Sequence, residues 1–105
     1  MEEWQVRLRT YFDNGFPPES LTDERAEIRF YAYGSLGYTI NAKTDIGEII
    51  RLSYYLHEGF DEDAKTDTFW KIRLYAYRNL GWTIEALNDE NEFIRLSAQK
   101  YLPPE

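Results

Sequence analysis

An aliphatic residue followed by arginine returns every 22 positions, as Val6-Arg7, Ile28-Arg29, Ile50-Arg51, Ile72-Arg73 and Ile94-Arg95. A fixed period of this length excludes one irregular globular core. It predicts an array of small units, each burying its apolar face against the next. Rows of 22 align further columns: Asp23, Asp45, Asp67 and Asp89, then Gly15, Gly37, Gly59 and Gly81, each glycine followed by Phe16, Tyr38, Phe60 or Trp82.

These columns predict where helices start and stop. A helix is expected to begin at each aspartate, with Asp45…Glu48 and Asp89…Glu92 as capping boxes. It is expected to end at each glycine, in a left-handed cap with the next aromatic packed back onto the helix. Five long helices follow, at about residues 2–14, 24–36, 46–58, 68–80 and 90–102, the last stopped by Pro103-Pro104. The six residues between each aromatic and the next aspartate have room for one α or 3₁₀ turn. Thr39, Asp61 and Thr83 are suitable N-caps for these turns, and Pro18 suits a first helical position. A longer period overlies the first, because residues 28–58 match 72–102 at 16 of 31 positions, so alternate rows are related more closely than adjacent ones.

At about 100° per residue, the Ile column, the Tyr column (Tyr11, Tyr33, Tyr55, Tyr77) and the Leu/Phe column form a wide apolar arc. The arginines fall inside it, where an unpaired charge costs several kcal/mol. Asp23, Asp45, Asp67 and Asp89 precede Arg29, Arg51, Arg73 and Arg95 by six residues, too far for an i,i+4 pair. The spacing suits a ladder between adjacent units; the alternative is an arginine row offered to phosphates. Arg7 has no aspartate six residues before it.

The run Asp-x-x-x-x-Ile-Arg-Leu-x-Ala-x-x-x-Leu-Gly, clearest from Asp67 to Gly81, resembles the second helix of HEAT-type α-solenoid repeats. The segment Phe16-Pro17-Pro18-Glu19-Ser20-Leu21, with Asp23 and Ile28-Arg29, is similar to the leucine-rich-repeat variant, whose α-helices alternate with 3₁₀ turns. Both resemblances imply an all-α fold: a short right-handed α-solenoid of about four and a half 22-residue repeats, one domain over residues 1–105. The HEAT resemblance also implies an inter-repeat Asp–Arg ladder. Neither implies an activity.

Nineteen acidic against twelve basic side chains give a formal charge of -7, which disfavours nucleic-acid backbones and anionic membranes as partners. The chain has no cysteine, which excludes disulfides, thiolate metal sites and cysteine nucleophiles. No cofactor is called for. The acidic start Met1-Glu2-Glu3-Trp4 leads into no apolar segment, and the cytoplasm is the expected location.

Catalytic motifs are missing: the glycines are single and spaced by 22, and there is no nucleophile elbow or zinc-binding helix. His57 beside Asp61, Glu62 and Asp63 suits a solvated surface better than a cation site. The outward arc carries large apolar groups where polar ones would suffice. Tyr31, Ile49, Leu56, Tyr75 and Phe93 form the candidate partner-binding patch, with packing against the short turns as the alternative.

The chain is therefore expected to be a non-enzymatic protein-interaction module, a monomer or weak homodimer through Trp4. An acidic inhibitor that occupies a basic nucleic-acid site is the alternative. Direct nucleic-acid binding through Arg9, Lys71, Arg78 and Lys100 is a third.

Overall fold

The computed structural model describes residues 1–102; the stop expected at Pro103-Pro104 lies outside them. The described residues are helical and contain no strand: α1 Glu3–Asn14, α2 Ala26–Leu36, α3 Ile40–Lys43, α4 Glu48–Glu58, α5 Trp70–Leu80 and α6 Glu92–Tyr101. Three 3₁₀ turns intervene: η1 Pro18–Thr22, η2 Glu62–Thr66 and η3 Ile84–Asn88. The fourth connection, α3, is a single α turn instead. Two compact units divide the chain, residues 1–57 and 58–105.

In the first unit Tyr33, Ala42 and Ile50 form a buried cluster, against which Leu21, Ala26, Phe30, Tyr38 and Tyr54 pack. In the second, Leu74, Tyr77, Ala86, Ile94 and Ala98 play this part, with Trp70, Trp82, Leu87 and Leu102 around them. The isoleucine column is the innermost element. Ile28, Ile50, Ile72 and Ile94 are all buried, each worth about 1.5–3 kcal/mol relative to an exposed side chain. The outer members of the apolar columns are less covered: Val6 and Leu96 are both exposed, at the first and last long helices.

The short turns lie close to the helices that follow them, η1 on α2, η2 on α5 and η3 on α6. Ser20, Ala42, Ala64 and Ala86 occupy one column and are buried. A small side chain is what permits that approach. Ser20, the one polar member, donates its hydroxyl to the Pro17 carbonyl, so its burial strands no polar group.

The long helices do not begin at the aspartates. Each starts three residues later, because the aspartate is committed elsewhere. Its Oδ1 accepts from the N–H two residues on, at Arg25 (2.8 Å), Gly47 (2.7 Å), Phe69 (2.8 Å) and Asn91 (2.8 Å). This is an Asx-type turn, and the chain bends there before the helix begins. The Asp45…Glu48 and Asp89…Glu92 capping boxes accordingly do not form. Asn91 caps α6 instead, its Oδ1 accepting from the Ile94 N–H at 3.2 Å. A reciprocal contact of capping-box type occurs at the start of α1, where the Glu2 N–H donates to Gln5 Oε1 at 2.8 Å. Of the caps expected for the short turns, Asp61 accepts from the Asp63 N–H at 3.0 Å, and Pro18 opens η1.

The glycine ends also depart from the left-handed cap. Gly37 has φ 108° and ψ 147°, and Gly81 has φ 111° and ψ 144°. That region is open almost only to glycine. It sends the chain outward in an extended path, so the following ring falls on the tyrosine four residues before the glycine. Tyr38 stacks on Tyr33 (6.0 Å, 9°) and Trp82 on Tyr77 (5.6 Å, 11°).

A β-carbon at Gly37 would meet nothing within 4 Å, so the cost of Gly37→Ala is purely conformational, about 1–3 kcal/mol. Gly34, within α2, has an ordinary helical backbone and equally open surroundings. Gly34→Ala is expected to stabilise by up to about 1 kcal/mol. Urea unfolding of the two variants checks the opposite signs.

Candidate functional site

Two constellations from the sequence need to be located: the charged columns and the outward apolar groups. Within the first unit the Arg29 guanidinium forks onto Asp45, Nε to Oδ2 at 2.9 Å and Nη2 to Oδ1 at 3.0 Å, while Nη1 donates to the Asp23 carbonyl at 2.8 Å. Arg7 grips Asp23 in the same way, at 3.3 Å and 3.1 Å. Arg51 reaches the Asp45 carbonyl at 2.9 Å. In the second unit Arg73 forks onto Asp89 with two 2.9 Å bonds and reaches the Asp67 carbonyl at 2.9 Å. Arg95 donates to the Asp89 carbonyl at 2.7 Å.

The rule behind the columns is thus a double one. An arginine bonds the carboxylate 16 residues ahead and the main-chain carbonyl of the aspartate six residues behind. Arg7 needs no earlier aspartate, because its carboxylate lies ahead. Side-chain exposure is 9% and 7% for Arg29 and Asp45, 8% and 6% for Arg73 and Asp89, but 29% and 11% for Arg7 and Asp23. Breaking one of the more buried rungs therefore costs more than breaking the exposed one. With their donors directed at aspartates, Arg29 and Arg73 offer no open cation to a phosphate.

Electrostatics follow this geometry. Burial alone would raise the Asp45 carboxyl, but the Arg29 fork, the Gly47 N–H and the charges of Arg29 and Arg51 hold it below the usual carboxylate range. Asp89 is lowered in the same way: burial opposes, and Arg73, the Asn91 N–H and Arg95 prevail. Hydrogen bonding to Asp45 raises Arg29 despite its desolvation.

The outward groups are divided between the units, Tyr31, Ile49 and Leu56 in the first and Tyr75 and Phe93 in the second. Tyr31 and Ile49 line an open groove of about 420 Å³ between α2 and α4, with Ala26, Phe30, Gly47 and Ile50. Their exposures are 44% and 51%. Tyr31 is held edge-on by Phe12 at 5.0 Å and by Phe30 at 5.4 Å. It also borders a second hollow of about 430 Å³ over Gly34, shared with Phe12 and Phe16. Leu56 is exposed but lines neither hollow. In the second unit Tyr75, half-buried, faces Phe60 at 6.1 Å, and the exposed Phe93 meets Trp70 at 6.1 Å.

The cations considered for nucleic acid lie over aromatic rings: Lys71 over Trp70 (5.8 Å), Arg78 over Tyr75 (5.9 Å) and Lys100 over Tyr101 (5.5 Å). Arg9 is exposed. His57 is exposed and packs on Tyr38 with ring centroids 5.0 Å apart. Among the described residues no group of three metal-ligating side chains comes together, and no helix is long and apolar enough to cross a membrane.

The groove over Ala26 and Gly47 was not singled out from the sequence. Its signal was present in the 44-residue register, where Ala26 stands opposite Trp70. Comparisons with protein-family models, with curated proteins and with solved structures find no match.

Arg29→Ala strands the Asp45 carboxylate and should cost about 3–5 kcal/mol. Arg25→Ala, which opens the Arg25–Glu27 pair at 43% and 45% exposure, should cost no more than about 1 kcal/mol. Denaturant titration separates the two. Because Asp45 and Asp89 are depressed in the folded state, the stability they contribute is present above the unfolded value of about 3.9. It is lost as the pH falls through the folded value. Asp45→Asn should flatten the fall in Tm between pH 5 and pH 2, pH values chosen to span that window at about 3.9; an unchanged slope would detach the carboxylate from the acid response.

Proposed function

We propose that this protein is a non-enzymatic protein-interaction module, an adaptor or scaffold built as a short right-handed α-solenoid of HEAT-like or leucine-rich-repeat-variant type. The observation that carries the proposal is the exposure of Tyr31 and Ile49 around an open apolar groove. Large side chains left in water beside a hollow, on helices held by forked ion pairs, suit a preformed binding surface whose ordering cost is already met. Tyrosine is also favoured among the few residues that dominate interface energies. The cytoplasm is the proposed location, and the proposed free state is a monomer or weak homodimer.

A second proposal follows from charge. The formal charge is -7, and Glu58, Asp61, Glu62 and Asp63 are all exposed around one turn. These features suit an acidic inhibitor that occupies a basic nucleic-acid site on another protein.

Salt separates the two. The full chain, immobilised in host lysate, should retain its partner in roughly 0.5 M salt, where surface charges are largely screened. It should lose that partner on Tyr31→Ala with Tyr75→Ala. Release by salt, with indifference to the tyrosines, would favour the acidic inhibitor.

A further inference from the structure

The two units carry the same site in two states. In the 44-residue register, Ala26, Glu27, Gly47 and Ile49 correspond to Trp70, Lys71, Asn91 and Phe93. In the second unit Trp70 packs against the cluster that contains Leu74 and Ile94. Its ring meets Phe93 edge-on, at 6.1 Å and 62°, and the Lys71 ammonium lies 5.8 Å from its centroid. Twenty-two residues before Ala26 stands Trp4, whose ring carries the Arg25 guanidinium at 4.3 Å. The column thus twice supplies an indole with a cation over it.

At Ala26 both are missing. Ala26 packs against the equivalent cluster of Tyr33 and Ile50 but ends at its β-carbon. What remains is the groove of about 420 Å³ lined by Phe30, Tyr31 and Ile49, within the range of about 300–1,000 Å³ usual for ligand pockets. The charge is also reversed, since Glu27 stands where the second unit has Lys71. Glu27 and Glu48 both border the groove. Among the described residues Glu27 pairs with Arg25, in an exposed pair that exchanges readily for another cation, and Glu48 makes no ion pair.

We propose that the groove between α2 and α4 takes an aromatic side chain of a partner polypeptide, best an indole, together with a lysine or arginine beside it in that partner's sequence. The partner supplies the two groups that Trp70 and Lys71 provide internally in the second unit. The aromatic ring rests on Phe30, Tyr31 and Ile49, and the cation meets Glu27 and Glu48. This inference rests on the interaction-module reading and names the chemistry of its partner.

The test uses the full, isotope-labelled chain and three capped tripeptides: Lys-Trp-Lys, Glu-Trp-Glu and Lys-Ala-Lys. At about 1 mM peptide, Lys-Trp-Lys should shift the amide resonances of Ala26, Glu27, Gly47 and Glu48. Glu-Trp-Glu should bind about tenfold more weakly, and Lys-Ala-Lys should leave these resonances unmoved. Ala26→Trp should fill the groove as Trp70 does, raising Tm while abolishing the shifts. Glu27→Lys, a surface change, should invert the preference between the two tryptophan peptides. Equal binding of Lys-Ala-Lys, undiminished binding by Ala26→Trp, or shifts located elsewhere would each overturn the proposal. Self-association in sedimentation that Ala26→Trp removes would assign the groove to a second copy of the chain, overturning it as well. If the tripeptides fail at the groove while a captured protein still depends on Tyr31 and Tyr75, the groove inference falls and the module stands. If the tripeptides bind and no captured protein depends on the tyrosines, the module reading falls and takes the proposed partner polypeptide with it.

Discussion

The fold of each unit depends on an aspartate carboxylate accepting from two directions. Asp45 takes the Arg29 fork through both oxygens and the Gly47 N–H through Oδ1, while its own carbonyl takes Arg51. A buried ion pair of this kind is not in itself a large source of stability, since desolvation offsets most of the Coulomb gain. Its value lies in geometry. It ties the end of one short turn, the start of the next long helix and the preceding long helix to a single atom group. No buried side-chain polar atom among the described residues is left without a partner, so the ladder satisfies what it buries.

The period, the helical class and the buried isoleucines were legible in the chain because each depends on spacing alone. The helix starts were not. Aspartate followed three residues on by glutamate is the pattern of a capping box, and Asp45 and Asp89 would cap if their carboxylates were free. Their carboxylates instead hold the arginine 16 residues earlier and accept the N–H two residues on, and the pattern alone does not choose between that contact and a cap. The glycines were misjudged for a related reason. Positive φ is readable from the residue type, whereas ψ near 145° at Gly37 and Gly81 is set by where the next ring must stack.

The candidate site was half legible. The helix wheel placed Tyr31, Ile49 and Phe93 on the outward arc, where all three are exposed, but a wheel compares positions and does not show neighbours. In the folded chain each outward ring has an aromatic neighbour, Tyr31 in Phe12 and Phe30, Tyr75 in Phe60 and Phe93 in Trp70. The decisive difference between the units is one of absence. Ala26 looks unremarkable by composition, and only the tryptophan opposite it in the register shows that something is missing.

The column of Ser20, Ala42, Ala64 and Ala86 and the 16-residue reach of the arginines together make length a quantised quantity. One residue inserted between an arginine and the small residue three positions before its aspartate would shift the carboxylate away from the guanidinium and bring a larger side chain to the place reserved for a small one. Two independent faults would then arise from a single event. Such a chain is closed to gradual lengthening and open to copying in whole rows. Side chains outside these two columns stay free to vary, as Ala26 and Trp70 do.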